Sequence, residues 1–244
     1  MDRFGMDRFG MDRTTQDSFW AEVLAYHGWG YSAADWQNWW LWLQQQQALF
    51  KPYDRGYFGA PLQPAFKTSA LAKLIFVHSY GLYFCPAEVL KEADLLVIFS
   101  SFRQFHPERP GLKKRSQQIL QQMQLQFERQ PQIVWQNFRA KSAQLADWSE
   151  SMPGSADLRR LGQDLHQLDH SSLDLSPLQK IPRIVVFHGA QDRIVSTAMG
   201  RALADDLAAS YFEIEPAGHA LPFTQVSSCQ AILQPMLEAL RHEF

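Results

Sequence analysis

The sequence predicts an α/β fold, a mostly parallel sheet flanked by helices with a helical cap inserted into it. Three observations predict it. Apolar runs at Lys73–Val77, Leu95–Phe99 and Arg183–Phe187 are continuous rather than alternating, which suits central strands buried on both faces. Each run ends in loop residues and gives way to helical spacing, the alternation of parallel βα units. Between Ser101 and Pro182 that alternation stops and helical spacing alone remains.

Taken in order, residues 1–18 open on MDRFG, MDRFG, MDR, a repeat far too short to build a solenoid, and are expected to be a disordered leader. A first strand starts near Phe19 and ends at His27-Gly28-Trp29-Gly30. Helical spacing of Trp36, Trp39, Trp40 and Leu43 predicts a helix over 33–47. A second strand, 48–53, enters the glycine-bearing loop Asp54–Gly59. The strand at 73–77 runs into His78-Ser79-Tyr80-Gly81, followed by a helix to about Lys91 and a strand at 95–99.

Residues 101–181 read as the cap, with Ile119, Met123 and Phe127 spaced by four and Leu158, Leu161, Leu165 and Leu168 by three or four. Strands at 183–187 and 211–215 complete the sheet. The core is therefore expected to comprise residues 19–100 and 182–244. An insertion of that length ordinarily serves an active site, here by excluding water and selecting the acyl chain.

Composition narrows the function. At 244 residues the chain can bury one sizeable core, and a formal net charge of -2 gives no global field for collecting nucleic acid or coating a membrane. Cys85 and Cys229 stand far apart without metal-ligand spacing, so neither a disulfide framework nor a metal site is indicated. No nucleotide fingerprint or phosphate loop appears, and no cofactor is expected. The amino terminus has no signal-like apolar stretch and no segment has the length of a membrane span, so a cytoplasmic location is expected.

His78-Ser79-Tyr80-Gly81 follows a buried strand and precedes a helix, the setting in which a serine hydroxyl is exposed on a sharp turn. A helix-capping hydroxyl is the plainer reading of Ser79 alone, and Val77 stands where a Gly-x-Ser-x-Gly elbow has its first glycine. The other end of the chain supplies context. Arg183–Phe187 leads to His188-Gly189-Ala190-Gln191-Asp192, which places Asp192 after a strand as a triad acid or as a cap for the next helix. His219, in Gly218-His219-Ala220, follows the last strand. The order Ser79, Asp192, His219 gives a nucleophile, an orienting acid and a general base. His27, His78 and His188 read as structural. Backbone N–H groups of Trp29 and Tyr80 are the candidate oxyanion hole.

On His27–Gly30, His78–Gly81, Leu173-Asp174-Leu175-Ser176-Pro177-Leu178 and Gly218–Phe223, the chain from about residue 20 onward resembles the α/β-hydrolase family. Within it, the resemblance is nearest to the pimeloyl-acyl-carrier-protein methyl ester esterases of biotin synthesis. That resemblance implies a serine carboxylesterase releasing methanol and a pimeloyl thioester. It also implies an acidic carrier protein as partner, for which Lys113, Lys114, Arg115, Arg159 and Arg160 are candidate contacts, with Arg129, Arg139 and Lys141 nearby in the cap. A broad carboxylesterase, thioesterase or lactonase on small acyl compounds, and a non-catalytic binding protein on the same fold, are the alternatives.

Overall fold

The computed structural model describes residues 19–67, 71–144 and 150–244, so the expectation for the leader falls outside the described residues. Six strands, β1 (Ala21–Tyr26), β2 (Ala48–Pro52), β3 (Ala72–His78), β4 (Leu95–Phe99), β5 (Arg183–Gly189) and β6 (Ser210–Ile214), form one sheet in the order β2-β1-β3-β4-β5-β6. Every neighbouring pair is parallel. The helices are α1 (Gln37–Gln45), α2 (Gly81–Phe84), α3 (Ala87–Leu90), α4 (Pro110–Arg129), α5 (Pro131–Ala143), α6 (Leu158–Gln167), α7 (Thr197–Asp206), α8 (Leu221–Thr224) and α9 (Val226–Arg241).

The apolar runs are continuous because successive side chains of a strand feed opposite layers. In β3, Leu74 and Phe76 join the layer built with Trp39 and Leu43 of α1 and Leu233 and Leu237 of α9. Ile75 and Val77 join the other, with Leu82 of α2, Leu90 of α3 and Leu203 of α7. Each such buried side chain contributes about 1.5–3 kcal/mol relative to exposure, so neither face tolerates a polar alternation.

Two expectations are corrected. The helix predicted from the elbow to about Lys91 is two single turns, α2 and α3, because Pro86 has no N–H to donate and holds Cys85 extended at ψ 120. In α4 the inward residues are Leu120 and Phe127, whereas Ile119, assigned to the apolar stripe, is 58% exposed.

Helices α4 to α6 occupy the chain between β4 and β5. Leu120 and Phe127 of α4, Val134 of α5 and Leu161 and Leu165 of α6 form a third apolar cluster with Trp29, Tyr80 and Phe102. One ion pair on a buried carboxylate pins α6 to the loop after β2: Arg55 Nε and Nη2 each donate to the Asp164 carboxylate at 2.8 Å, and Tyr57 Oη donates to it at 2.7 Å. Losing Arg55 would be the damaging direction, since it leaves the buried Asp164 charge uncompensated, whereas Arg55 itself is part-exposed. Among the described residues no helix is long and apolar enough to cross a membrane.

The chain leaves β1 for β2 at the edge and returns past β1 to β3. Strand order reverses there, and the crevice beyond the carboxyl ends of β1 and β3 is the binding position of open parallel sheets.

Candidate active site

Ser79 occupies the turn between β3 and α2 with φ +53, a left-handed conformation that costs a non-glycine residue about 1–2 kcal/mol. Its backbone is held at both ends: Ser79 N–H donates to Phe99 O at 2.9 Å, and Ser101 Oγ donates to Ser79 O at 2.8 Å. Close approach is made on the β1 side by two glycines. A Cβ at Gly81 would overlap the carbonyl of Tyr26, and one at Gly28 would sit 2.9 Å from Ser79 Cβ and 3.0 Å from His78 O. Val77 is accommodated because its side chain is buried in the apolar layer around Ile75 and Ile98.

The turn aims Ser79 Oγ at His219, and the two are joined at 2.9 Å through Nε2. His219 Nδ1 meets Asp192 Oδ2 at 2.8 Å. Asp192 Oδ1 accepts the N–H groups of Ile194 and Val195 at 2.8 and 2.9 Å, so the carboxylate is anchored in its own loop. Because the carboxylate only accepts, the His219 hydrogen belongs on Nδ1, and Nε2 is free to accept from Ser79. The capping readings lapse: residue Tyr80 caps α2, and Ser196 caps α7.

Burial alone would raise the Asp192 carboxyl, but the His219 and His188 rings beside it outweigh burial and hold it well below the usual carboxylate range. For His78, burial first and the His219 ring second push the imidazole well below its ordinary range. Its Nε2–H donates to His219 O at 3.0 Å and so braces the histidine loop. Burial likewise lowers His27, whose Nδ1–H donates to Gly28 O at 2.8 Å while Nε2 accepts Arg55 N–H at 3.0 Å.

Trp29 and Tyr80 bring their backbone N–H groups to the same edge. Among the described residues, neither donates to a protein acceptor. The Trp29 indole is fixed by donation to Leu161 O at 2.8 Å, and Trp135 Nε1 donates to Gly30 O at 2.8 Å. Helix α5 and its C-cap Gln144, not singled out in the sequence, touch the Trp29, His219 and Asp192 loops. Phe138 lies edge-on to Trp29 at 4.9 Å, Ser142 O accepts Ala220 N–H at 2.9 Å, and Gln144 Nε2 donates to Gln191 O at 3.0 Å.

Of the predicted partner contacts, Lys113, Lys114 and Arg115 are exposed on α4. Arg159 is exposed on α6, beside a groove of about 600 Å³ lined also by Phe127, Leu158 and His166. Arg160 is not free in this way: Nη1 donates to Arg55 O at 2.6 Å, and the side chain pairs with Asp157 at 3.5 Å. Arg139 is buried against Tyr31 and bonded to Asp35 at 2.8 Å, so it is a packing residue.

Among the described residues no group of three or more histidine, cysteine or acidic side chains is placed to hold a metal ion. Cys85 and Cys229 are free and buried in opposite layers, and burial pushes both thiols up to about 12.

The Gly28 contact yields a direct test. Gly28→Ala is expected to push the elbow away from His219 and lower kcat for a short ester by about 10²-fold, the order of loss that ångström-scale misplacement brings. An unchanged kcat in a folded variant would contradict the tight approach.

No protein-family model and no curated protein sequence matches this chain. Solved structures do. The chain is similar to an esterase from Exiguobacterium antarcticum (TM-score 0.71, 13% identity, 91% of this chain and 93% of that one). It is also similar to a bromoperoxidase from Bacillus anthracis (TM-score 0.70, 15% identity, 90% and 92%). A hydrolase from Oleispira antarctica matches with TM-score 0.66 and 18% identity over 92% and 91%. The parallel six-stranded sheet and these likenesses define the α/β-hydrolase fold.

Proposed function

We propose that the protein is a serine carboxylesterase working through an acyl-enzyme. What carries this reading is the continuous chain Ser79 Oγ, His219, Asp192, at 2.9 and 2.8 Å, mounted on a strained elbow. His219 Nε2 takes the Ser79 proton as Oγ attacks the ester carbonyl carbon. The oxyanion that forms is met by Trp29 N–H and Tyr80 N–H, donors whose individual loss ordinarily costs about 10²–10³ in rate. The imidazolium, balanced by Asp192, protonates the departing alkoxide and an alcohol leaves. Water, deprotonated by His219, then attacks the acyl carbon; the C–O bond to Ser79 breaks, the imidazolium returns the proton to Ser79 Oγ, and the acid is released. A strained serine bonded to a buried imidazole, with the Trp29 and Tyr80 N–H groups left without a protein acceptor among the described residues, has no use in a non-catalytic binder, which favours the enzyme. The esterase, carboxylesterase and enol-lactonase names among the structural neighbours support the same class of chemistry.

Within that class we place the substrate as the methyl ester of pimeloyl-acyl-carrier protein, with residues 101–181 as the cap that receives it. The support is the motif resemblance and the exposed cations Lys113, Lys114, Arg115 and Arg159 on α4 and α6. Recognition of an acidic carrier is local and salt-sensitive, unlike the buried triad. Reversing charge at Lys113 to Arg115 is therefore expected to lower kcat/KM for a carrier-linked methyl ester by tenfold or so, leaving a small free ester unaffected, with added salt reproducing the selective loss. Arg160 is unsuited to this test, since its reversal breaks the contact to Arg55. Equal losses on both substrates would indicate a damaged fold. No loss on either would return the protein to a broad carboxylesterase, as would failure to rescue a biotin-requiring strain.

A further inference from the structure

The Asp192 carboxylate touches a second imidazole that the mechanism does not use. His188, at the end of β5, is fully buried, and its Nε2 lies 3.4 Å from Asp192 Oδ2, the oxygen that also receives His219 Nδ1–H. The same nitrogen is 3.0 Å from Val195 O. A carbonyl only accepts, so Nε2 carries the hydrogen, donates it to Val195 O and sets that N–H dipole beside Asp192 Oδ2. The ring cannot turn to offer its other edge. Nδ1 has no hydrogen-bond partner among the described residues, and it packs so closely on Gly200 that a methyl there would overlap it.

We infer that His188 is a positioning residue: its Nε2–H holds the Asp192 loop shut through Val195 O and lies beside Asp192 Oδ2, tempering how strongly that oxygen binds the imidazolium. This rests on the triad reading above. The positive end of an N–H dipole beside a carboxylate oxygen offsets part of its negative charge. With His188 N–H gone, Oδ2 attends to His219 alone, the imidazolium is held more firmly, and the free base appears only at higher pH.

The other groups around this pair come from several elements. His78 of β3 faces His219 at 5.1 Å between ring centres and is kept neutral by burial, with Tyr31 edge-on behind it and Arg139 over the Tyr31 ring. Tyr211 of β6 lies over His188 at 6.5 Å, with Arg201 over its ring and Glu213 accepting from its hydroxyl. Asp192 is the anion in direct contact with both His188 and His219.

The test uses the full chain with His188→Leu, which removes the donor, and His188→Gln, whose amide can restore it. Gly200→Ala displaces the ring without changing its chemistry and serves if His188→Leu does not fold. Two readouts are taken: the pH dependence of Ser79 modification by a fluorophosphonate probe, and the low-field proton resonance of the His219–Asp192 hydrogen bond. In His188→Leu, or in Gly200→Ala, the acid limb is expected to move up by about half to one pH unit and the resonance to move further downfield, with His188→Gln returning both toward wild type. An unmoved acid limb and resonance in a folded His188→Leu or Gly200→Ala variant would overturn the inference, as would equal shifts in His188→Leu and His188→Gln. The resonance decides the matter even if Ser79 proves unreactive in wild type, an outcome that would count against the esterase reading.

Discussion

Ser79→Ala is expected to abolish turnover of a short p-nitrophenyl ester, by about 10⁴-fold or more, while leaving the protein folded. The magnitude follows from what the hydroxyl does. Ser79 Oγ is the atom that forms the bond to carbon, and its partner is His219 Nε2 at 2.9 Å. A methyl in its place cannot attack, and whatever acceleration remains must come from the oxyanion donors and from binding. Stability is expected to change little, within about 1 kcal/mol, because one hydrogen bond is lost while the backbone bonds to Phe99 and Ser101 stay. Steady-state kcat, probe labelling and thermal unfolding of the variant settle it together. Turnover within tenfold of wild type would end the mechanism.

The fold class was legible because a parallel sheet writes itself as apolar runs, and β3, β4 and β5 supply three of them. The meeting of Ser79, Asp192 and His219 was legible for a related reason. Each follows a strand, all strands point the same way, and so the three loops share one edge of the sheet. What escaped the sequence lies in contacts that neither period nor order encodes. Asp164 and Arg55 are distant in the chain, yet make the buried pair that ties α6 down. Arg160 reads as a carrier contact and Arg139 as a cap cation near it because their type is usually exposed, but here the Arg55 carbonyl and Tyr31 take them in. His188 braces the backbone of its loop through Val195 O, but its approach to Asp192 was not legible, since that depends on how the residues after β5 curl. Pro86 is the one break that the sequence itself displays, since its ring ends α2 and restarts the chain as α3.

Asp192→Asn is expected to lower kcat by about 10⁴-fold, and the hydrogen bonds around the carboxylate give the reason. Oδ1 accepts from Ile194 and Val195 N–H at 2.8 and 2.9 Å. An asparagine carbonyl must take that place, since an amide nitrogen cannot accept from either. Its NH₂ group then faces His219 Nδ1, which must give up its hydrogen to accept, so Nε2 becomes the protonated nitrogen and no longer takes the proton of Ser79. The NH₂ also meets His188 Nε2–H, donor against donor, 3.4 Å from the oxygen it replaces. Stability changes with a defined sign. Burial would raise the wild-type carboxyl, but the two histidines hold it below its unfolded value, so its ionised form stabilises the fold above about pH 4 and that contribution is lost as pH falls further. The variant is therefore expected to unfold more easily than wild type at neutral pH, with the gap narrowing below pH 4. Since Asp192 stays ionised throughout the working range, the acid limb of the wild-type rate profile belongs to an imidazole, and activity should climb with pH across that range. A kcat for Asp192→Asn within tenfold of wild type would show that another acid orients His219.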